Sequence, residues 1–234
     1  HFLDSELCQL DKVYLYQLSN YNKVVLQRNK LLKELYLHPD YREVLDVLDM
    51  QLVQYGSALI QRRQTFAEEL GEIVHRIHSQ LSGGQEEMEL KYEPNVTVDV
   101  FAQMLFANRE RDMRLKTTAT GPHRDDISFV VNGVDIRKFG SQGQQRTAAL
   151  SLKLSEIELV KRLIGDTPVL LLDDVLSELD SGRQNYLLNS IENIQTLITC
   201  TGLDEFVNHR FSINRIYKVT DGSVTVENKQ EADR

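Results

Sequence analysis

Apolar and aromatic residues recur every seven positions through the first part of the chain: Leu7, Tyr14, Tyr21 and Leu35, with Arg28 filling the same column. A second column, Leu3, Leu10, Val24 and Leu31, is interrupted by Gln17. Two such columns form the a/d seam of a coiled coil, so residues 3–37 read as one long helix. His38, Pro39 and Asp40 break it, because proline lacks the N–H and its ring clashes with the preceding turn. Leu45, Leu52, Leu59, Phe66 and Ile73 then make a further seven-residue column. The simplest arrangement is an antiparallel helical hairpin, an arm of roughly 50 Å at about 1.5 Å rise per residue. An ordinary pair of helices within a bundle has the same pattern.

After about residue 80 the period changes. Met88 to Tyr92 reads as a short strand closed by Pro94, and residues 97–116 read as helix. Ile127 to Val131, Asn132-Gly133 and Val134 to Ile136 form a hairpin with type I′ turn chemistry. Residues 143–164 carry Leu150, Leu154, Ile157 and Leu163 near helical spacing and stop at Gly165. Val169 to Leu172 is a short apolar run, as expected of a strand buried on both faces. Residues 181–193 read as helix and 195–200 as a second buried strand. Ile216 to Val219, Asp221-Gly222 and Val224 to Val226 make a closing hairpin. Alternating strands and helices predict an α/β layer with parallel strands.

Composition narrows the class. With 41% hydrophobic residues in 234, a sizeable core is available and global disorder is excluded. No apolar run approaches a membrane span, so no membrane association is expected. Cys8 and Cys200 have no paired spacing and suit a reducing cytoplasm. The chain opens on His1 with no signal region after it, which reads as a cut inside a longer protein. A net charge of −8 argues against a free-standing nucleic-acid binder. The basic cluster Arg109, Arg111, Arg114 and Lys116 is explained by a solvated helix face or by a local basic strip.

The chemistry concentrates in Val169-Leu-Leu-Leu172-Asp173-Asp174. A buried strand delivers acids to its carboxyl end, where α/β sheets bind ligands. Asp173 is then placed to hold Mg²⁺ beside a nucleotide's phosphates, and Asp174 to orient or deprotonate the attacking water. A capping acid at a strand end gives the same string. Ser177-Glu-Leu-Asp180 follows, and the two segments together resemble the Walker B motif and D-loop of ABC-type ATPases. Asp180 also suits the cap of the helix beginning there.

Such an ATPase needs a signature segment, and two candidates exist. Leu81-Ser82-Gly83-Gly84-Gln85 matches the literal string, but a strand-like stretch with three glutamates follows it where a helix N-terminus is required. Gly140-Ser141-Gln142-Gly143-Gln144-Gln145-Arg146 opens the strong helix instead. Ser141 can donate a hydroxyl hydrogen bond, Gly143 lets a phosphate approach the backbone, and Arg146 lies on the first turn. A serine N-cap without a ligand is the plain alternative for Ser141.

Gly121-Pro-His123-Arg124-Asp-Asp126, Phe139 to Arg146, Leu171-Leu-Asp-Asp174 and Ser177 to Asp180 occur in one order, and together they are similar to the RecF family. Tyr21-Asn-Lys23 followed by Gln27 to Lys33 resembles the start of that family's helical arm. The resemblance implies a partial ABC-type head with a helical arm: residues 1–80 as the hairpin, 81–140 as a lobe leading to the signature, and 141–234 as the signature helix and remaining head. It implies an SMC-like ATPase whose two subunits close around ATP and Mg²⁺, each site completed in trans by Ser141, Gln142, Gly143, Gln144 and Arg146 of the other. It further implies a clamp on double-stranded or gapped DNA, acting with RecR and RecO to load RecA in repair and the SOS response, with weak DNA-stimulated ATPase activity.

Several features depart from the ABC pattern. No Gly-rich loop ending in Gly-Lys-Ser/Thr occurs, so the chain alone is expected to be inactive. Asp174 stands where many ABC ATPases carry Glu. Thr201 follows the last buried strand where transporters place a switch histidine, which assigns it a γ-phosphate-sensing role. His123 and Arg124 fit either a nucleotide or DNA contact or a turn held by ion pairs. Two other classes compete: a non-hydrolysing interaction module, and another SMC-like ATPase, which the short arm disfavours.

Overall fold

The computed structural model describes residues 2–34, 42–201 and 213–227. Leu35 and the break at His38, Pro39 and Asp40 lie outside them. The chain forms two compact units, His1–Asp166 and Thr167–Arg234.

The first unit is built on three helices, α1 (Phe2–Leu10), α2 (Lys12–Glu34) and α3 (Arg42–Leu81). The single helix expected over residues 3–37 is therefore divided at Asp11. The Asp11 carboxylate accepts the N–H groups of Val13 (2.9 Å) and Tyr14 (3.0 Å), capping α2 in competition with a continuous helix. Helices α2 and α3 run antiparallel. Tyr14 meets Arg63, Tyr21 lies against Gly56, Arg28 meets Asp49, and Leu32 packs with Leu45. The seven-residue spacing of Tyr14, Tyr21 and Arg28 is thus matched by Arg63, Gly56 and Asp49. The expected column Leu45, Leu52, Leu59, Phe66 and Ile73 is buried as well.

Helix α3 also packs on β1 (Met88–Glu93), α4 (Phe101–Ala107) and the long α7 described below. Residues 97–116 give two short helices, α4 and α5 (Arg109–Leu115), rather than one. They meet at Asn108, whose side chain donates to Thr120 (2.9 Å). Strand β1 pairs antiparallel with β2 (Asp126–Val131), and β2 with β3 (Val134–Asp135). Asn132 and Gly133 both take positive φ, +48° and +82°, as a type I′ turn requires. A short helix α6 (Ile136–Phe139) leads to α7 (Gln142–Ile164), which ends at Gly165 with φ +75°.

The second unit holds β4 (Leu170–Asp173), α8 (Ser181–Ser190) and β5 (Thr196–Thr199), and then β6 (Ile216–Thr220) paired with β7 (Ser223–Glu227). Strands β4 and β5 are parallel, with Asp173 in register with Thr199. The fold is α/β. The expectation that the Val169–Leu172 run is buried on both faces is not met: Leu170 and Leu172 are buried, while Val169 and Leu171 are 54% and 71% exposed. Among the described residues this sheet has only two strands, and the face of β4 that carries Leu171 is exposed.

Candidate functional site

The two candidate signature strings occupy opposite helix ends. Leu81 is the last residue of α3, and the glycines after it form a C-terminal cap. Gly84 N–H donates to the Ser79 carbonyl (2.7 Å), and Gly83 and Gly84 take φ of +64° and +77°. This end of a helix carries exposed carbonyl groups and partial negative charge, which repels phosphate.

Ser141 is the N-cap of α7. Its oxygen accepts the Gln144 N–H (3.2 Å), and the Gln144 side-chain carbonyl accepts the Ser141 N–H (3.1 Å), forming a reciprocal capping box. Ser141, Gln142, Gly143 and Arg146 are exposed, and a Cβ at Gly143 would meet nothing within 4 Å. The half-buried Gln144 also donates from its amide nitrogen to Glu86 (3.0 Å). The end of α7 thus offers open backbone N–H groups with room for an anion beside Gly143. Ser141 carries out its capping role in this arrangement.

In the second unit, the register of β4 and β5 brings the acid pair against Thr199. The Thr199 hydroxyl donates to the Asp173 carboxylate and accepts the Asp174 N–H (3.1 Å). Asp174 takes φ +51°, an uncommon conformation for a residue other than glycine, and turns the chain sharply out of the strand. The Ser177 hydroxyl lies 2.9 Å from the Asp174 carbonyl oxygen and 3.0 Å from its carboxylate. A 3-10 turn over Leu176–Glu178 follows. Asp173 and Asp174 are both exposed, and each uses one carboxylate oxygen on a hydroxyl.

Asp180 caps α8, accepting the Arg183 N–H (3.0 Å) and pairing with the Arg183 guanidinium (2.8 Å). The Arg183 N–H, followed by that side chain's charge, holds its carboxyl below the ordinary carboxylate value. Thr201 is exposed two residues beyond β5. Thr199 was not singled out by sequence. The available signal was a hydroxyl at the end of the strand after the acids, and the register that joins them is a property of the sheet.

His123 and Arg124 divide. The His123 ring is half-buried, its Nδ1 2.7 Å from the Tyr21 hydroxyl and its Nε2 2.9 Å from the Thr118 carbonyl. Burial depresses its basicity, against the opposing effect of the Thr118 carbonyl. The adjoining turn is fixed by Arg63, which donates to the Pro122 carbonyl (2.6 Å) and to Asp125 (2.8 Å). His123 thus belongs to a turn held by hydrogen bonds and ion pairs, while Arg124 is exposed. In the basic cluster, Arg109 is tied to Asp46 and Asp49 and lies over the Phe106 ring. Arg111, Arg114 and Lys116 are exposed.

No helix among the described residues is long and apolar enough to cross a membrane. No protein-family model matches the chain. The curated DNA replication and repair protein RecF of Agathobacter rectalis is 59% identical over 225 residues, 96% of this chain and 62% of that protein. That of Lachnospira eligens is 58% identical over 229 residues, 97% of this chain and 63% of that protein. The Clostridium perfringens protein of the same name is 41% identical over 228 residues, 95% and 62%. The chain therefore spans less than two thirds of the length of these relatives. Among solved structures, the recombination mediator protein RecF-ATP of the RecFOR pathway superposes with a TM-score of 0.84 at 33% identity, over 97% of this chain and 62% of that one. The RecF-ATPrS structure gives 0.82 at 34% identity, over 96% and 62%. Over the residues it spans, the chain belongs to the RecF family.

Proposed function

We propose that these residues form the signature helix, the acid pair and the helical arm of an ATP-gated DNA clamp in DNA repair and recombination. The observation that carries the reading is the sequence of parts. A capped α7 with an open N-terminus leads to β4, which ends in two acids held by Thr199. RecF solved with ATP has the same fold over these residues. In this reading the glycine-rich phosphate loop lies in polypeptide N-terminal to His1, and the 234 residues alone neither hold nor turn over ATP appreciably.

The residues fit the groups this chemistry uses. Asp173 and Asp174 offer exposed carboxylate oxygens, the hard donors Mg²⁺ prefers, and no group of three or more His, Cys, Asp or Glu residues among the described ones makes a closed cage. Mg²⁺ needs none, since one or two carboxylates suffice when phosphates and water complete its shell. When bound at Asp173, the ion neutralises charge on the phosphates.

In hydrolysis Asp174 accepts the proton of the attacking water, and its backbone, turned by Thr199, sets the carboxylate beside Asp173. Ser141 and the first N–H groups of α7 contact the γ-phosphate held by a second subunit, with Gln142, Gly143, Gln144 and Arg146 around it. Ser177 and Asp180 occupy the D-loop that faces the opposite site, and Thr201 senses the γ-phosphate. The closed homodimer encircles duplex or gapped DNA in the cytoplasmic nucleoid and acts with RecO and RecR to promote RecA loading and the SOS response.

Light scattering on the complete protein with and without ATP tests this reading. ATP is expected to dimerise the wild type and to leave Ser141→Arg monomeric, because the arginine fills the phosphate space beside Gly143. Equal dimerisation of both would remove residues 140–146 as the signature. Absence of dimerisation in both would favour the interaction-module reading.

A further inference from the structure

We infer that Glu86 is a positioning residue for the signature segment: it fixes the orientation of the Gln144 amide, and Gln144 in turn fixes Ser141. The inference rests on the proposed signature role of residues 140–146.

A glutamine side chain turns readily about its last torsion, so either end of the amide can face a given neighbour. The carboxylate of Glu86 removes that freedom. It only accepts, so the amide nitrogen of Gln144 must face it, and this contact measures 3.0 Å. The amide oxygen is thereby directed to Ser141, whose N–H it accepts at 3.1 Å and whose hydroxyl lies 3.2 Å away. With the amide reversed, two donors would oppose each other at Ser141 N–H and the reciprocal cap would be lost.

Glu86 is itself held from three sides. Its side chain is 19% exposed, and its second oxygen lies 3.2 Å from His78 Nε2. Its N–H donates to the Ser82 hydroxyl (3.2 Å). His78 Nδ1 lies 2.9 Å from the Ser151 hydroxyl on α7, so α3 itself contacts α7 two turns beyond Gln144. The Leu81–Gln85 string thus has a structural use: its glycines stop α3 and its serine anchors Glu86. The Glu86 carboxylate joins the end of the arm helix to the start of α7, beside the His78–Ser151 contact.

The test is the ATP concentration that half-dimerises the complete protein, read by light scattering beside ATP-analogue binding to the monomer. Glu86→Ala is expected to raise the dimerisation midpoint about tenfold, the scale of one lost charge-assisted hydrogen bond. Monomer binding should stay within about twofold, because a signature acts only across the dimer. Gln144→Glu opposes two carboxylates and should raise the midpoint similarly. Glu86→Gln keeps an acceptor oxygen for the Gln144 amide nitrogen and should raise the midpoint clearly less than Glu86→Ala. An unchanged midpoint in Glu86→Ala, equal losses in dimerisation and monomer binding, or a loss in Glu86→Gln as large as that in Glu86→Ala would overturn the inference. If Ser141→Arg dimerises normally in the same assay, the signature reading itself has failed.

Discussion

Arg28 and Asp112 are 84 residues apart in sequence and 2.7 Å apart in the fold, and neither side chain is exposed at all. Arg28 also donates to Asp49 (2.6 Å) and to the Thr118 hydroxyl (3.0 Å). Asp112 accepts the Ala119 N–H (3.1 Å) through its other oxygen. The planar guanidinium serves α3, α5 and the loop after α5 at once, a geometry that a lysine cannot reproduce. Asp112→Ala leaves a buried cation short of its partner and should cost about 3–5 kcal/mol in urea unfolding, whereas Arg28→Met with Asp112→Leu should recover part of it. A loss below about 1 kcal/mol in Asp112→Ala would show the site open to water in solution.

Arg28 also marks how far the sequence can be read. Its place in the column of Leu7, Tyr14 and Tyr21 identifies it as a seam position, and the structure buries it there. The facing column on α3, with Asp49, Gly56 and Arg63, carries the same period but is invisible to an apolar search, because its members bond or yield space rather than pack as hydrocarbon. Helix α7, both type I′ hairpins and the β4–β5 strands were legible because local chemistry decides them. The divisions at Asp11 and Asn108 were not: at Asp11 one carboxylate captures two nearby N–H groups, and Asn108, whose side chain bonds Thr120 and caps neither helix, carries no local stop signal. The uncovered face of β4 was unreadable for another reason: an apolar run states that a strand prefers burial, not what covers it.

Gly56 lies mid-helix in α3, where alanine normally adds about 1 kcal/mol of stability. Here a Cβ would come within 2.6 Å of Phe101 Cε1 and 3.0 Å of Tyr21 Cε2. Both rings are fully buried, so they have little room to withdraw. Overpacking should outweigh propensity, and Gly56→Ala is expected to destabilise by about 1–3 kcal/mol. Combining it with Phe101→Leu should cost less than the two changes added together, a coupling readable in a double-mutant cycle.

Asp11 offers a pH-dependent test of the division between α1 and α2. The Tyr14 N–H, followed by the Arg62 hydrogen bond and the Val13 N–H, outweighs burial and lowers its carboxyl below the ordinary value of 3.8. The unfolded chain therefore takes up the proton first as pH falls. The stabilising contribution is complete above the unfolded value and is lost as pH falls through the folded one. Asn caps without titrating, so the stability gap between wild type and Asp11→Asn should narrow below pH 3.8. Asp11→Ala should cost about 1 kcal/mol at neutral pH. Thermal unfolding across the acid range reads both effects, and a gap that does not vary with pH would remove the charged cap.

The acid pair gives a prediction that separates chemistry from assembly. Asp174 has φ +51°, which Asn adopts at least as readily as Asp, and an asparagine keeps the N–H contacts to Thr199. Asp174→Asn should therefore fold normally and, in the complete protein, bind ATP and dimerise. Its hydrolysis should fall by about 10²-fold or more, because a neutral amide cannot accept the water's proton. Thr199→Val removes the hydroxyl that joins Asp173 to the Asp174 N–H, and Thr199→Ser keeps it. Hydrolysis should drop in the valine variant and survive in the serine variant, while both retain dimerisation. A valine variant that hydrolyses like wild type would reduce Thr199 to a sheet residue. An Asp174→Asn variant that does so would move the base elsewhere.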